Sequence, residues 1–359
     1  MSYFLGFVPI VLCVAFTCGA AAQTSEMNMA IVEAWMKSGH ADADAEAFRH
    51  WDDEGEIPGD CAVCHSTTGV VEFLSTPQQA TGVIDHPVPI GTTIECEACH
   101  NAGAEDLSTV VFPDGQAISV ADGSAICSVC HQGRTSMADV DDAVEGIGAD
   151  DVSDQIRFIN IHYAAAATTQ QGSAVRGGYQ YPGKSYAGPF EHVPGLNNCV
   201  ACHDPHETVV KLENCTSCHA GISEFADIRT TPLDILGRGE TGNGIGTVVD
   251  ELKVRLKEAI MLYAREKAGM AVVYSNASYP YFFVDTNENG SVDAGEAAFP
   301  NRYASWTPRL LRAAYNYQFV NKDKGAFAHN PHYAVQLLID SIEDLASVAP
   351  VDTTGLMRP

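Results

Sequence analysis

Positive charge is what this chain has least of. Its 359 residues carry 20 Lys and Arg against 46 Asp and Glu, a formal charge of −26. Nucleic-acid backbones are held by clustered Lys and Arg, so nucleic acid is excluded as a partner. Docking on an anionic lipid surface is disfavoured for the same reason. Long apolar runs are scarce too. Only residues 3–22 are apolar and uncharged throughout. No Lys or Arg precedes Lys37, so the basic head of a signal peptide is missing, although Ala20-Ala21-Ala22 reads as a cleavage site. Residues 1–22 are expected to be a signal peptide, or an N-terminal anchor, since the run is just long enough to span a bilayer. Cys18 as a lipoprotein cysteine is a third option. A nucleotide loop is absent as well. The Gly-rich stretch Gly237 to Gly246 has no strand before it and no Walker lysine after it.

What the chain does have is cysteine in one pattern. Cys13 and Cys18 lie in the apolar N-terminal run. The other ten of the 12 form five pairs, each closed by histidine. They are Cys61-Ala-Val-Cys64-His65, Cys96-Glu-Ala-Cys99-His100, Cys127-Ser-Val-Cys130-His131, Cys199-Val-Ala-Cys202-His203 and Cys215-Thr-Ser-Cys218-His219. C-x-x-C-H is the attachment signature of c-type haem. Thiols three positions apart reach the two vinyl groups of one haem, and the next residue offers its imidazole to the iron. Structural zinc would use such knuckles in pairs. A redox dithiol needs no following histidine. A disulfide framework would not repeat one spacing five times. The expected cofactors are therefore five covalently attached haems c. Haem supplies large flat apolar surfaces, so the fold class expected is loops and short α-helices wrapped around a haem chain rather than packed layers. Attachment of c-type haem takes place outside the cytoplasm in bacteria and archaea. The protein is expected to be exported, periplasmic or extracellular, or membrane-associated through its N-terminus.

Five motif histidines are proximal iron ligands. Eight of the 13 histidines remain: His40, His50, His86, His162, His192, His206, His329 and His332. A six-coordinate haem takes a second ligand, His or Met, and bis-His ligation keeps potentials low. His162 and His192 have aromatic neighbours that can pack on a haem edge. His206 lies too close to His203 to loop back to the same iron, so it should serve a neighbouring one. His40 and His50 precede the first motif, and His329 stands before the last helix. These six are the distal candidates, with His86 and His332 behind them. No methionine stands out as an axial ligand. Because Cys199 and Cys215 are close in sequence, the fourth and fifth haems should be close in space.

After the glycine-rich joint cysteine stops and helical periodicity begins. Val249, Leu252, Leu256, Ile260 and Tyr263 mark one face of a helix over 248–268. Thr307-Pro308 and Asn330-Pro331 each read as an N-cap followed by proline at the first position, the second helix running to about Ala346. Residues 27–39 read as a short amphipathic helix. The organisation expected is a signal segment over 1–22, a pentahaem cytochrome domain over 23–236, and a haemless helical domain over 247–359. Within the last, Asp285-Thr-Asn287-Glu-Asn289-Gly290-Ser291-Val292-Asp293-Ala-Gly-Glu296 fits the twelve-position EF-hand loop. Asp285, Asn287, Asn289, Ser291, Asp293 and Glu296 fall at ligand positions, Gly290 at the sharp turn, and Val292 where a strand could pair. A structural Ca2+ is expected here.

The five motifs, and the doubled module from Cys199 to His219 above all, resemble the multihaem c-type cytochromes. The runs His131-Gln-Gly-Arg134, Asn160-Ile-His162-Tyr163 and Gly177-Gly-Tyr-Gln-Tyr181 are similar to parts of extracellular electron-transfer cytochromes, over about residues 38–225. Trp306-Thr-Pro-Arg-Leu-Leu and Ala328-His-Asn-Pro look like segments of polyhaem cytochromes. The resemblance implies an electron carrier in anaerobic respiration or extracellular electron transfer, with redox proteins or extracellular acceptors as partners. It also implies, as some members polymerise, that subunits stack and that a histidine such as His40 ligates the iron of the next copy. The alternative is a pentahaem reductase of a small oxyanion such as nitrite. Its open haem usually carries lysine in place of the motif histidine. Here all five motifs end in histidine, so no catalytic residue is assigned.

Overall fold

In the computed structural model, residues 28–76, 82–120, 123–239 and 241–359 are described. The proposed signal segment and Cys13 and Cys18 lie outside them. Up to residue 237 the chain is mostly loop, with short helices and two two-stranded antiparallel ribbons, Glu56–Ile57 with Val88–Pro89 and Thr109–Val111 with Ala117–Ser119. Each cysteine motif sits on about one helical turn. Four begin or end helices at Gly59–His65, Cys96–Cys99, Ser124–Cys130 and Cys199–Cys202; the fifth overlaps Glu213–Thr216. The motif histidine closes the turn through its own N–H, as from His131 to the Cys127 carbonyl at 2.9 Å and from His219 to the Cys215 carbonyl at 2.9 Å. A helical turn brings residues i and i+3 to one face, so both thiols of a motif point the same way.

The helix Thr67–Ser75 packs on the first motif helix through Gly69. A Cβ there would lie 2.3 Å from the Ala62 carbonyl oxygen, so only glycine permits the approach. A small core of Ile57, Ala62, Val63, Val70, Phe73, Leu74, Ile84, Val88, Ala98 and Val129 joins the first three motifs.

The long helices lie in the cysteine-free part: α1 (Ile245–Glu266), α2 (Pro308–Lys322) and α3 (Pro331–Ala346). Both expected N-caps form. Thr307 Oγ1 accepts the Leu310 N–H at 3.1 Å and Asn330 Oδ1 accepts the Tyr333 N–H at 3.1 Å. α1 begins three residues earlier than its apolar periodicity suggests, because Ile245 and Gly246 are themselves buried against the Phe225–Asp227 turn. Residues 28–35 are helical, but Met29, Ile31, Val32 and Met36 are all exposed, and the helix engages the described chain at its end, where half-buried Trp35 donates its indole N–H to the Ile94 carbonyl at 2.9 Å.

The joint near residue 240 marks a change in cysteine content and not a break in packing. Val140, Ile156, Ile161, Tyr179 and Tyr181 belong to the same core as α1, α2 and α3. The stretch 177–181 is clamped to the bundle by its backbone. Asn316 Oδ1 accepts the Tyr179 N–H at 2.6 Å while Asn316 Nδ2 donates to the Tyr179 carbonyl at 2.9 Å. At Gly178 a Cβ would meet Leu337 Cδ1 at 2.3 Å. Asp340, fully buried on α3, is held by Lys184 at 2.6 Å and Arg358 at 2.8 Å, which ties residue 184 and the C-terminus to the same helix. Among the described residues no helix is long and apolar enough to cross a membrane.

Candidate haem-binding sites

Every motif histidine faces one other histidine. His65 meets His162 with ring centres 6.0 Å apart, His100 meets His206 at 6.2 Å, His131 meets His40 at 6.2 Å, His203 meets His329 at 6.3 Å, and His219 meets His192 at 6.0 Å. No histidine is shared between pairs. Two imidazoles bound to one metal through bonds of about 2 Å, each nitrogen lying about 1 Å from its ring centre, have centres about 6 Å apart. The spacing is too wide for direct stacking and right for one iron between the rings. The ten motif cysteines are all free, half-buried or exposed. Thiols and imidazole pairs thus fit haem c at each motif.

Burial favours the neutral, ligating form at five of these rings. Burial pushes His131 and His162 down to about 4, with neighbouring positive groups adding to the effect. Burial also lowers His40, His65 and His203. A neutral imidazole presents one lone pair to a metal. Which nitrogen carries it is set by the bond at the other. His65 Nδ1 donates to the Ala47 carbonyl at 2.8 Å, and His203 donates to the Thr208 carbonyl. His329 Nδ1 lies 2.8 Å and 2.9 Å from the two carboxylate oxygens of buried Asp323. Burial opposes protonation of His329, but the Asp323 charge and hydrogen bond outweigh it and raise its pKa.

His162 is held at a backbone cost. His162, Tyr163 and Ala164 have φ of 55°, 46° and 47°, three successive non-glycine residues in the left-handed region. Tyr163 anchors the turn. Its hydroxyl is 2.6 Å from that of Tyr281, and Lys322 Nζ sits 3.8 Å and 4.0 Å from the centres of the two rings. Burial of that ammonium lowers Lys322 to about 8.

The remaining histidines stand apart. His50 faces no motif histidine. It bonds Glu46 at 2.8 Å and lies edge-on to Trp51, which in turn abuts His65. His86 contacts the carboxylates of Glu72 at 3.1 Å and Asp85 at 2.8 Å, which raise its pKa. His332 is exposed on the first turn of α3. His40, a distal candidate also considered for a link to another copy, faces His131 of the same chain. His329, another distal candidate, comes from the cysteine-free part and faces His203. Sequence reasoning missed Asp323, whose signal is an acid six residues before a histidine at the end of a short helix.

The acidic loop follows strand Phe282–Val284 of a hairpin with Val272–Tyr274, not a helix. Asp285 and Glu296 are buried. Asp285 Oδ2 accepts the Gly290 N–H at 2.8 Å, and Gly290 has φ +78°. Glu296 accepts from Thr286 and from the Asp293 N–H, which holds its carboxyl below the usual range. Asn287 and Asn289 both donate to Asp293. Asn301, not foreseen, pins the two ends together by donating to the carbonyls of Val284 at 2.8 Å and Glu296 at 3.0 Å. Val292 pairs with no strand and is exposed. Among the described residues no three His, Cys, Asp or Glu side chains form a metal cluster, Asp285, Asp293 and Glu296 included.

Motif and geometry define a cytochrome of the c type with more than one haem. Comparison with known proteins agrees: residues 13–86 match the family described as C-type polyheme cytochrome domain 2. The chain is 29% identical over 382 residues to C-type polyheme cytochrome OmcC of Geobacter sulfurreducens, and 28% identical over 383 residues to C-type polyheme cytochrome OmcB of the same species. Both alignments cover 90% of this chain and 48% of the relative, so the chain spans about half the length of the curated relatives it matches. No solved structure matches. The chain is thus similar to multihaem c-type cytochromes, and its C-x-x-C-H motifs are of the kind that attach haem c covalently.

Proposed function

We propose that the chain binds five haems c, each between the two histidines of one pair, and that it carries electrons. The observation that carries this reading is the one-to-one pairing of all five motif histidines at 6.0–6.3 Å. Haem c supplies a one-electron iron couple, and a series of such couples passes electrons by hopping. The motif cysteines fix each macrocycle covalently. An iron held between two paired imidazoles would have no ligand position left for an exogenous substrate. This disfavours the reductase alternative, which needs an open iron. All five pairs close within one chain, so ligation requires no second copy. Haem attachment supports export to the periplasm or the cell exterior. The loop Asp285–Glu296 is proposed to hold a structural Ca2+, which titration calorimetry of the chelator-treated protein tests directly.

Pyridine haemochrome of the purified holoprotein tests the count, and EPR with carbon monoxide tests closure. Five haems per chain, all low-spin when oxidised, with no carbon monoxide binding when reduced, are expected. A high-spin signal integrating to one haem, with carbon monoxide binding, overturns the carrier reading in favour of a reductase.

A further inference from the structure

The motifs do not meet in sequence order. Cys130 Sγ donates to the Val63 carbonyl oxygen at 3.7 Å, and Ala62 and Val63 share one buried core with Val129. Motif one therefore abuts motif three. On the other side of motif three, the Cys199 N–H donates at 2.9 Å to Oγ of Ser124, the first residue of the motif-three helix. Motif three therefore abuts motif four as well. Motif two approaches the same hub, since Ala98 shares one buried core with Val63 and Val129. Its facing residue, His206, is only three positions from His203, which keeps it beside site four. Cys215 follows Cys202 by 13 positions, which places motif five beside motif four. Between motifs one and two the helix Thr67–Ser75 packs against both, while Cys64 lines a cleft with Val129, Gln132 and Gly133 of the motif-three segment.

Resting on the proposed five-haem reading, we infer that site three, Cys127–His131 with His40, is the junction of the electron path. Sites one, two and four each adjoin it, and site five adjoins site four. Each motif's thiols mark where one edge of its macrocycle would be attached. Two motifs that abut would therefore bring their macrocycles near each other. A linear one-to-five order would join site one to site two and leave it remote from site three.

The two orders differ in what site one reports. Replacement of a distal histidine by methionine raises that haem's potential, so in His40→Met site three is reduced first. Haem-methyl NMR of the full-length holoprotein then follows the oxidised neighbours while only site three changes charge. Resonances of site one, assigned from His162→Met, should shift together with those of sites two and four, and those of site five should stay. Site one unmoved, with site two shifted, overturns the junction. The reciprocal measurement, reading site three when site one is altered in His162→Met, decides the matter if His40→Met does not fold. Haem count and EPR on the same samples separate the two levels. Fewer than five low-spin haems in the unmodified protein defeats the underlying reading. Five low-spin haems with a silent site one defeats the junction alone.

Discussion

His329 differs from the other facing histidines in what holds its far nitrogen. His65 and His203 donate to neutral carbonyls, whereas His329 bonds a buried carboxylate, Asp323. A carboxylate on the outer nitrogen makes an imidazole more electron-rich and favours the more positive, ferric state of a bound iron. The fourth site should therefore sit lower in potential than its ligand pair alone dictates. Asp323→Asn keeps a hydrogen-bond acceptor but removes the charge. It is expected to raise one midpoint by roughly 30–60 mV, a three- to tenfold change in ferric/ferrous partition for one electron. Spectroelectrochemical titration reads this, and an unchanged curve would strip Asp323 of the tuning role. At this scale the sequence is unequally informative. The motif histidines are legible because their chemistry is local. That His206 faces another motif's histidine was also legible, since three residues are too few to return to the same iron. Which remaining histidine faces which motif was not, because pairs such as His203 with His329 depend on how α2 and α3 dock, and no local pattern encodes that.

At the scale of elements, the loop Asp285–Glu296 shows what local pattern encodes well. Its spacing, its left-handed Gly290 and its buried terminal carboxylates follow from a short polar loop folding on itself. The closing clamp by Asn301 was not foreseeable, since it depends on the turn Phe299–Asn301 returning beside the strand. Caps behaved likewise: Thr307-Pro308 and Asn330-Pro331 state helix starts within four residues. The apolar exposure along helix 28–35 was hidden, because periodicity shows a face without showing what covers it. A bound cation stabilises the folded chain by about 2.7 kcal/mol at a hundredfold excess over its dissociation constant. For a chain of this size that corresponds to roughly 3–4 °C in Tm. Chelation should remove that increment from the wild-type protein. Glu296→Gln, which loses the bidentate charge, should melt at the lower temperature with or without added Ca2+. A Tm indifferent to chelator and to Ca2+ would show that the loop closes by its own hydrogen bonds.

At the scale of the molecule the ruling feature is charge. Fixed groups sum to −26, and some of the few cations are spent on ion pairs within the fold, as with Lys184 and Arg358 on Asp340 and Arg309 between Asp150 and Asp344. The outward field is therefore one-signed, and it acts on any redox partner before contact is made. One-signed fields raise encounter with oppositely charged partners by roughly tenfold or more at low ionic strength. The range shrinks from about 30 Å at 0.01 M salt to about 8 Å at 0.15 M. Stopped-flow oxidation of the reduced holoprotein by a cationic complex, hexaammineruthenium(III), should slow severalfold across that interval. Oxidation by anionic ferricyanide should quicken across the same interval. The pair of slopes matters more than either, because driving force and reorganisation differ between the reagents but do not change sign with salt. Parallel slopes would mean that electrons leave through a locally neutral or positive window, and the acidic surface would then serve solubility rather than partner choice. Opposed slopes would mean that the face where electrons depart shares the charge of the whole, and that a natural acceptor must be cationic, metal-bearing or bridged by cations.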